Sequence, residues 1–135
     1  MIQEKVSVPD GIAIADVKVI GTGDRILAKS AEYENGTLTV ELLNPVPSEW
    51  LTLLDGVKVA NARGAGFEAY DADGNHLGNF KCQNADGAVQ FFYVESDATV
   101  VGCSLKKGWN KIFVDENTKK PSTTIPSDVK WVFIE

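Results

Sequence analysis

An all-β domain is what this sequence predicts: a β-sandwich of about eight or nine short strands with one short helix. Three observations carry that reading. Apolar residues recur mostly with period two, the spacing of strands that bury one face. Turn signals separate these runs at short intervals, as in a β-sandwich. Only one stretch has a helical spacing. A chain of 135 residues fits one domain, 1–135, and can bury a core without metal or disulfide staples.

The first strand, "IAIADVKVI", changes phase: Ile12 and Ile14 share a face, then Val17 and Val19 take the other parity, so a bulge near Ala15-Asp16 is predicted. A hairpin follows in "ILAKSAEY-ENG-TLTVELL". Leu38, Val40 and Leu42 alternate with Thr37, Thr39 and Glu41, and Asn35-Gly36 supplies the turn. The turn also accounts for the sequon Asn35-Gly36-Thr37. "NPVPSEWLTLLDG" breaks the rhythm. Ser48 as N-cap, Trp50 and Leu54 four apart, and Gly56 past the end predict a short helix that plugs one end of the sandwich. Strands resume with "VKVA" from Val57, "GFEAY" from Gly66, "LGNFKC" to Cys82, "VQFFYV" from Val89 and "TVVGCSL" from Thr99. After the "KKG" turn comes "NKIFV". The polar, proline-containing stretch from Asp115 to Asp128 is predicted to be a long loop. "VKWVFI", Val129 to Ile134, is apolar on both faces, so it is expected to sit in the interior of a sheet.

A net charge of −6 with no Lys/Arg cluster excludes nucleic acid and anionic membrane surfaces as natural partners. No apolar run is long enough to span a bilayer, and "MIQEKVSVPD" is polar, unlike a signal segment.

"AYDADGNHLGNF" has the look of a calcium loop, with Asp71, Asp73 and Asn75 at alternate positions. The glycine such a loop needs at its sixth place is His76, and its bidentate Glu is Cys82. Asp73-Gly74 between strand-like runs predicts a hairpin instead. His76 is the only histidine, which excludes sites that need two, and it reads as a surface residue at the hairpin tip. Cys82 and Cys103 both read as core-facing, with no cation on the same face of their strands to activate them, and their spacing leaves a disulfide open. "GTG" at Gly21 and "RGAG" at Arg63 lack the helix a phosphate loop needs. Nineteen acidic residues guarantee neighbouring carboxylates, so a pair in sequence carries no signal for hydrolysis. No catalytic residue, metal ligand or cofactor is therefore predicted.

The aromatics remain. Phe91 and Tyr93 face one way on their strand and Phe92 the other; the second face is expected to be covered, with Trp50 and the long loop as lids. Should the domain hold a ligand by stacking, its contacts would be Phe92, Tyr70 and Trp109.

"NGTLTVELLNPVP", "AYDADGNHLGNF", "FFYVESDATVVG", "LKKGWNKIFV" and "SDVKWVFIE", taken in order, resemble a group of small uncharacterised lipoprotein and secreted β-sandwich domains of Bacteroidetes. The resemblance covers most of the chain from about residue 20. It implies an exported precursor, at the periplasm or outer-membrane surface, with a lipid anchor ahead of the folded domain. It supplies no catalytic residues. In those relatives an extra hairpin often separates the strands that "VVGCSLKKG" joins directly here. The resulting expectation is an immunoglobulin-like or prealbumin-like β-sandwich, non-catalytic, binding an unknown protein or glycan at the cell envelope. The rivals are a carbohydrate-binding module, which needs a row of exposed aromatics, and a carboxylate-dependent hydrolase, which needs two carboxylates in a cleft.

Overall fold

The computed structural model describes residues 1–61 and 67–135. The expected "RGAG" loop at Arg63 and the first residue of "GFEAY", Gly66, lie outside the described residues. Among those described, the chain is all-β, with fourteen strands in antiparallel pairings and no α-helix.

Three sheets account for the strands. One sheet contains β1 (Ile2–Lys5), β3 (Ala28–Glu34) and β4 (Thr37–Leu42), in the order β1-β4-β3. Its hairpin closes through Asn35 and Gly36, with φ of 52° and 79°, the positive pair that a two-residue turn needs. Glu34 pairs directly with Thr37 across it. The large sheet is a path of β13 (Pro121–Ser122), β12 (Gly108–Asp115), β9 (Gly87–Val94), β8 (His76–Gln83), β7 (Phe67–Tyr70) and β2 (Asp16–Lys18). Onto it are added β6 (Val57–Asn61), which pairs with β9 and with β5 (Thr52–Leu54), and β14 (Lys130–Ile134), which pairs with β8. The third sheet is a hairpin of β10 (Ala98–Val100) and β11 (Cys103–Leu105).

The large sheet divides near its middle. β8 and β9 share only the register pair Gln83 and Ala88, at the mouth of their connecting turn. Beyond it β9 runs with β12 and β6, while β8 runs with β7 and β14. One core gathers Leu38 and Val40 of β4 with Val17, Phe67, Ala69, Phe80, Phe91 and Tyr93 of the large sheet. A second core, on the other face of β9, holds Val59, Phe92, Val94, Val100, Cys103, Leu105 and Ile112. Both faces of β9 are therefore covered. The lid over Phe92 is the β10–β11 hairpin; Trp50, expected in that role, packs on the first core.

Several expectations are corrected. The predicted helix is a single 3-10 turn, Ser48–Trp50, followed by β5. Asp55 and Gly56, with φ of 54° and 76°, form a hairpin turn that pairs Leu54 with Val57. Gly56 therefore reverses a strand where it was read as ending a helix. "TVVGCSL" is two strands, because Val101 and Gly102 make the same kind of turn at φ 44° and 82°. The first long strand shrinks to β2, starting at Asp16, and a strand unseen in the sequence, β1, pairs Ile2–Lys5 with β4. Fourteen strands replace eight or nine because many are three residues or fewer. The last strand finds a distant partner as expected, but among the described residues it pairs with β8 alone, on one side.

Candidate functional site

The three residues read from sequence as ligand contacts fall in three places. Phe92 is only 9% exposed, beneath the β10–β11 hairpin. Tyr70 lies half-buried on β7, with the Lys18 Nζ 4.6 Å from its ring centroid, the His76 ring 5.4 Å away, and its hydroxyl donating to Glu68. Trp109, on the face of β12 opposite to Phe92, lines a groove.

That groove is an extended concave feature of the described surface. One cavity of about 340 Å³ is lined by Met1, Ile2, Gln3, Glu4, Leu42, Phe91, Trp109, Asn110, Lys111 and Trp131. A second, of about 590 Å³, continues past Met1 and Ile2 to Lys29, Glu41, Leu43, Lys107, Gly108 and Trp109. A third, of about 440 Å³, extends the other way through Glu4, Lys5 and Lys111 to Cys82, Val129, Lys130 and Trp131. Shared lining residues join all three.

One wall is a strand edge. Successive side chains of a strand point to opposite faces, so the only surface common to Met1, Ile2, Gln3 and Glu4 is the strand's lateral edge. Trp109, Asn110 and Lys111 of β12 form the facing wall, with Phe91, the register partner of Lys111, beside them. Among the described residues β1 has one strand partner, β4. β12 is paired to β9 along its length but meets β13 only at Phe113 and Val114, so its first half has a second, open edge.

At the base sit Phe91 and Trp131, whose ring centroids are 6.1 Å apart, and Trp131 also packs on Phe67 at 5.4 Å. Trp109 is held by Tyr93 at 5.5 Å and by its indole N–H, which donates to the Leu43 carbonyl at 2.9 Å. That bond ties the end of β4 to the start of β12. Asn110 fixes the entry to β12: its Oδ1 accepts from the Lys106 N–H, and its Nδ2 donates to the Lys106 and Gly108 carbonyls.

The rim is basic. Lys5, Lys29, Lys107, Lys111 and Lys130 line the groove against two acids, Glu4 and Glu41. Glu41 is already engaged by Lys29 at 3.5 Å. A local excess of positive charge therefore stands on a chain whose net charge is −6. Individual lysines are solvated, but together they set the sign of the potential a ligand meets.

Elsewhere polar groups serve turns. The "DADGN" segment is a hairpin turn: Asp71 Oδ1 accepts from the N–H groups of Asp73 and Asn75 at 2.9 and 2.8 Å, and Oδ2 from the Asn75 side chain at 3.2 Å. These bonds, led by the Asn75 N–H, hold the Asp71 carboxyl below its ordinary 3.8. Asp115 is lowered in the same way, chiefly by the Thr118 N–H. Because a depressed carboxyl stabilises the fold above its unfolded pKa, its contribution fades as pH falls from about 3.8 through the folded value. Asp71→Ala is expected to lower the melting temperature at pH 7 by a few degrees, with the deficit narrowing by pH 2; parallel melts at the two pH values check it.

His76 is exposed, its Nε2 2.8 Å from Asn79 Oδ1. Both thiols are free: Cys103 is buried in the second core, and Cys82 lines one end of the groove. Burial pushes the Cys82 thiol up, with Lys111 pulling it down and Glu4 adding to the rise, so it is a weaker nucleophile than a free cysteine. Among the described residues no cluster of three or more metal-ligating side chains occurs.

Of the three residues read from sequence as ligand contacts, Trp109 lines this groove and Phe92 and Tyr70 do not line it. Ile2 to Glu4 alternate in no apolar pattern, and Lys111 stands in no lysine run of the sequence. Only the sheet topology brings them together.

No protein-family model matches this chain, no curated protein matches its sequence, and no solved structure matches its fold.

Proposed function

We propose that the chain is a non-catalytic binding module, built as an immunoglobulin-like or prealbumin-like β-sandwich and exported to the cell envelope, whose ligand lies in the groove beside β1. The observation that carries the binding reading is the continuity of three cavities along the edge of β1. Large concave surfaces with a partly apolar base and a few polar groups are where ligands bind. The envelope location rests on the ordered resemblance of five segments to exported β-sandwich domains.

Two features weigh toward binding and away from catalysis. The carboxyls whose acidity is shifted, Asp71 and Asp115, are shifted down by turn hydrogen bonds, away from the range useful for proton transfer near neutrality. The thiol of Cys82, at one end of the groove, is shifted up by burial. The carbohydrate-binding reading needs aromatic faces open to a sugar ring, and the rings of Trp109 and Trp131 are packed against Tyr93, Phe67 and Phe91.

Titration of isotope-labelled protein with pools of soluble glycans and of mixed-sequence peptides tests the site. Amide shifts are expected to cluster on Ile2–Lys5 and Trp109–Lys111, with the Trp131 indole signal moving as well. Shifts centred on Tyr70 and His76 would place the site on the opposite hairpin and defeat the groove.

A further inference from the structure

We infer that the groove receives an extended, acidic segment of another protein, which adds to the outer edge of β1 as a strand and lays its carboxylates among Lys107, Lys111 and Lys130. This rests on the binding-module reading and names the module's partner.

Backbone alternation supplies the first argument. The Val6 N–H donates to the Gly36 carbonyl at 2.9 Å, and Ile2, Gln3, Glu4 and Lys5 pair with Val40, Thr39, Leu38 and Thr37. In an antiparallel ladder, alternate residues turn their N–H and C=O toward the partner. Val6 facing β4 therefore puts Ile2 and Glu4 inward, and sends the backbone groups of Gln3 and Lys5 outward into the groove. These are the donors and acceptors to which an incoming strand bonds. Trp109 and Lys111 of β12 stand across the same groove. A segment pairing along Met1 to Lys5 needs about five residues at roughly 3.3 Å each.

Charge selects the partner. The lysine rim favours carboxylates, while a second copy of this chain offering the same edge would set lysines against lysines. Strand addition also suits what the aromatics offer. Trp109 packs against Tyr93, and Trp131 against Phe67 and Phe91, and together they offer an apolar base for every second side chain of an added strand. The polar sequence Gln3-Glu4-Lys5 keeps the edge from pairing indiscriminately.

The test uses the full chain and three probes: a blocked decapeptide alternating valine and glutamate, its counterpart with lysine for glutamate, and polygalacturonate oligomers. Fluorescence anisotropy is expected to show the acidic peptide binding at least about tenfold tighter than the basic one, and weakening as salt is raised. Amide hydrogen exchange at Gln3 and Lys5 is expected to slow when it binds. Gln3→Pro removes an outward donor without touching a bond to β4, and its affinity is expected to fall about tenfold; Lys111→Glu is expected to lose a similar factor. Should Gln3→Pro fail to fold, exchange at the two amides of the native chain decides the question.

Equal binding of the two peptides overturns the inference, as does unprotected exchange at Gln3 and Lys5, or a folded Gln3→Pro that binds like the native chain. Tighter binding of the uronate oligomers, or dimerisation through β1 that the peptide does not displace, also overturns it, but leaves the groove as a binding site. Failure of all three probes removes the acidic-strand partner, and the binding-module reading then stands or falls with the pooled titration.

Discussion

Phe80→Ala is expected to destabilise the domain by about 3–5 kcal/mol, a large part of the 5–15 kcal/mol typical of a whole domain. Phe80 is fully buried at the centre of β8. Its register partners are Phe67 on one side and Phe133 on the other. Its ring lies 5.1 Å from Tyr33 and 5.3 Å from Phe133. Three strands of the large sheet and one of the three-stranded sheet thus meet on a single side chain. Tyr33 itself is anchored by its hydroxyl, which donates to the Val6 carbonyl at 2.6 Å, so it cannot simply swing into a cavity left behind. Urea unfolding of native protein, Phe80→Ala and Phe80→Leu measures the loss, with the leucine variant expected in between. A midpoint unmoved by Phe80→Ala would mean that the three-stranded sheet is not docked on β8.

Phe80 also shows how much could be read in advance. The period-two pattern of "LGNFKC" placed it on a buried face with Gly78 and Cys82, and the hairpin turns at Asn35-Gly36 and around Asp73-Gly74 were legible as local chemistry. Local signals could not choose between a glycine that ends a helix and one that reverses a strand, so the segment after Ser48 was misread. Nor does a local pattern reveal close approach. A side chain at Gly87 would come within 2.1 Å of the Val114 carbonyl, and one at Gly78 within 2.4 Å of the Ile134 carbonyl. Those glycines let β12 and β14 lie tight against their neighbours, and each requirement comes from a residue distant in sequence. The groove was invisible for the same reason. Its β1 wall is an edge, and a strand becomes an edge only through what the rest of the chain leaves unpaired. Ile2–Lys5 lacks even the alternation that would mark it as a strand, because β4 supplies the apolar side chains of that sheet.

Trp131→Ala is expected to cost about 3 kcal/mol, the lower end for a large aromatic because the residue is only half-buried. For a domain of this size that is a fall of about 10 °C in melting temperature. The ring closes the gap where β8 and β9 part, lying 5.4 Å from Phe67 and 6.1 Å from Phe91, so it joins the two halves of the large sheet that backbone pairing joins only at Gln83 and Ala88. Removing the strand from Val129 onward should be worse. β8 would lose the ladder from Asn79 to Gln83 and expose a new apolar edge, so the truncated chain is expected to aggregate. Trp131 also forms part of the groove base, and one substitution cannot separate its two roles. Trp131→Phe can. It keeps an aromatic ring against Phe67 and Phe91, so most of the stability should return. The groove loses the indole's extra width, so a ligand resting on it should still bind more weakly. Melts of the alanine and phenylalanine variants, paired with ligand titrations of the phenylalanine variant, give both readings. An alanine variant that melts with the native protein would deny Trp131 any part in joining the sheet halves and leave it a role in binding alone.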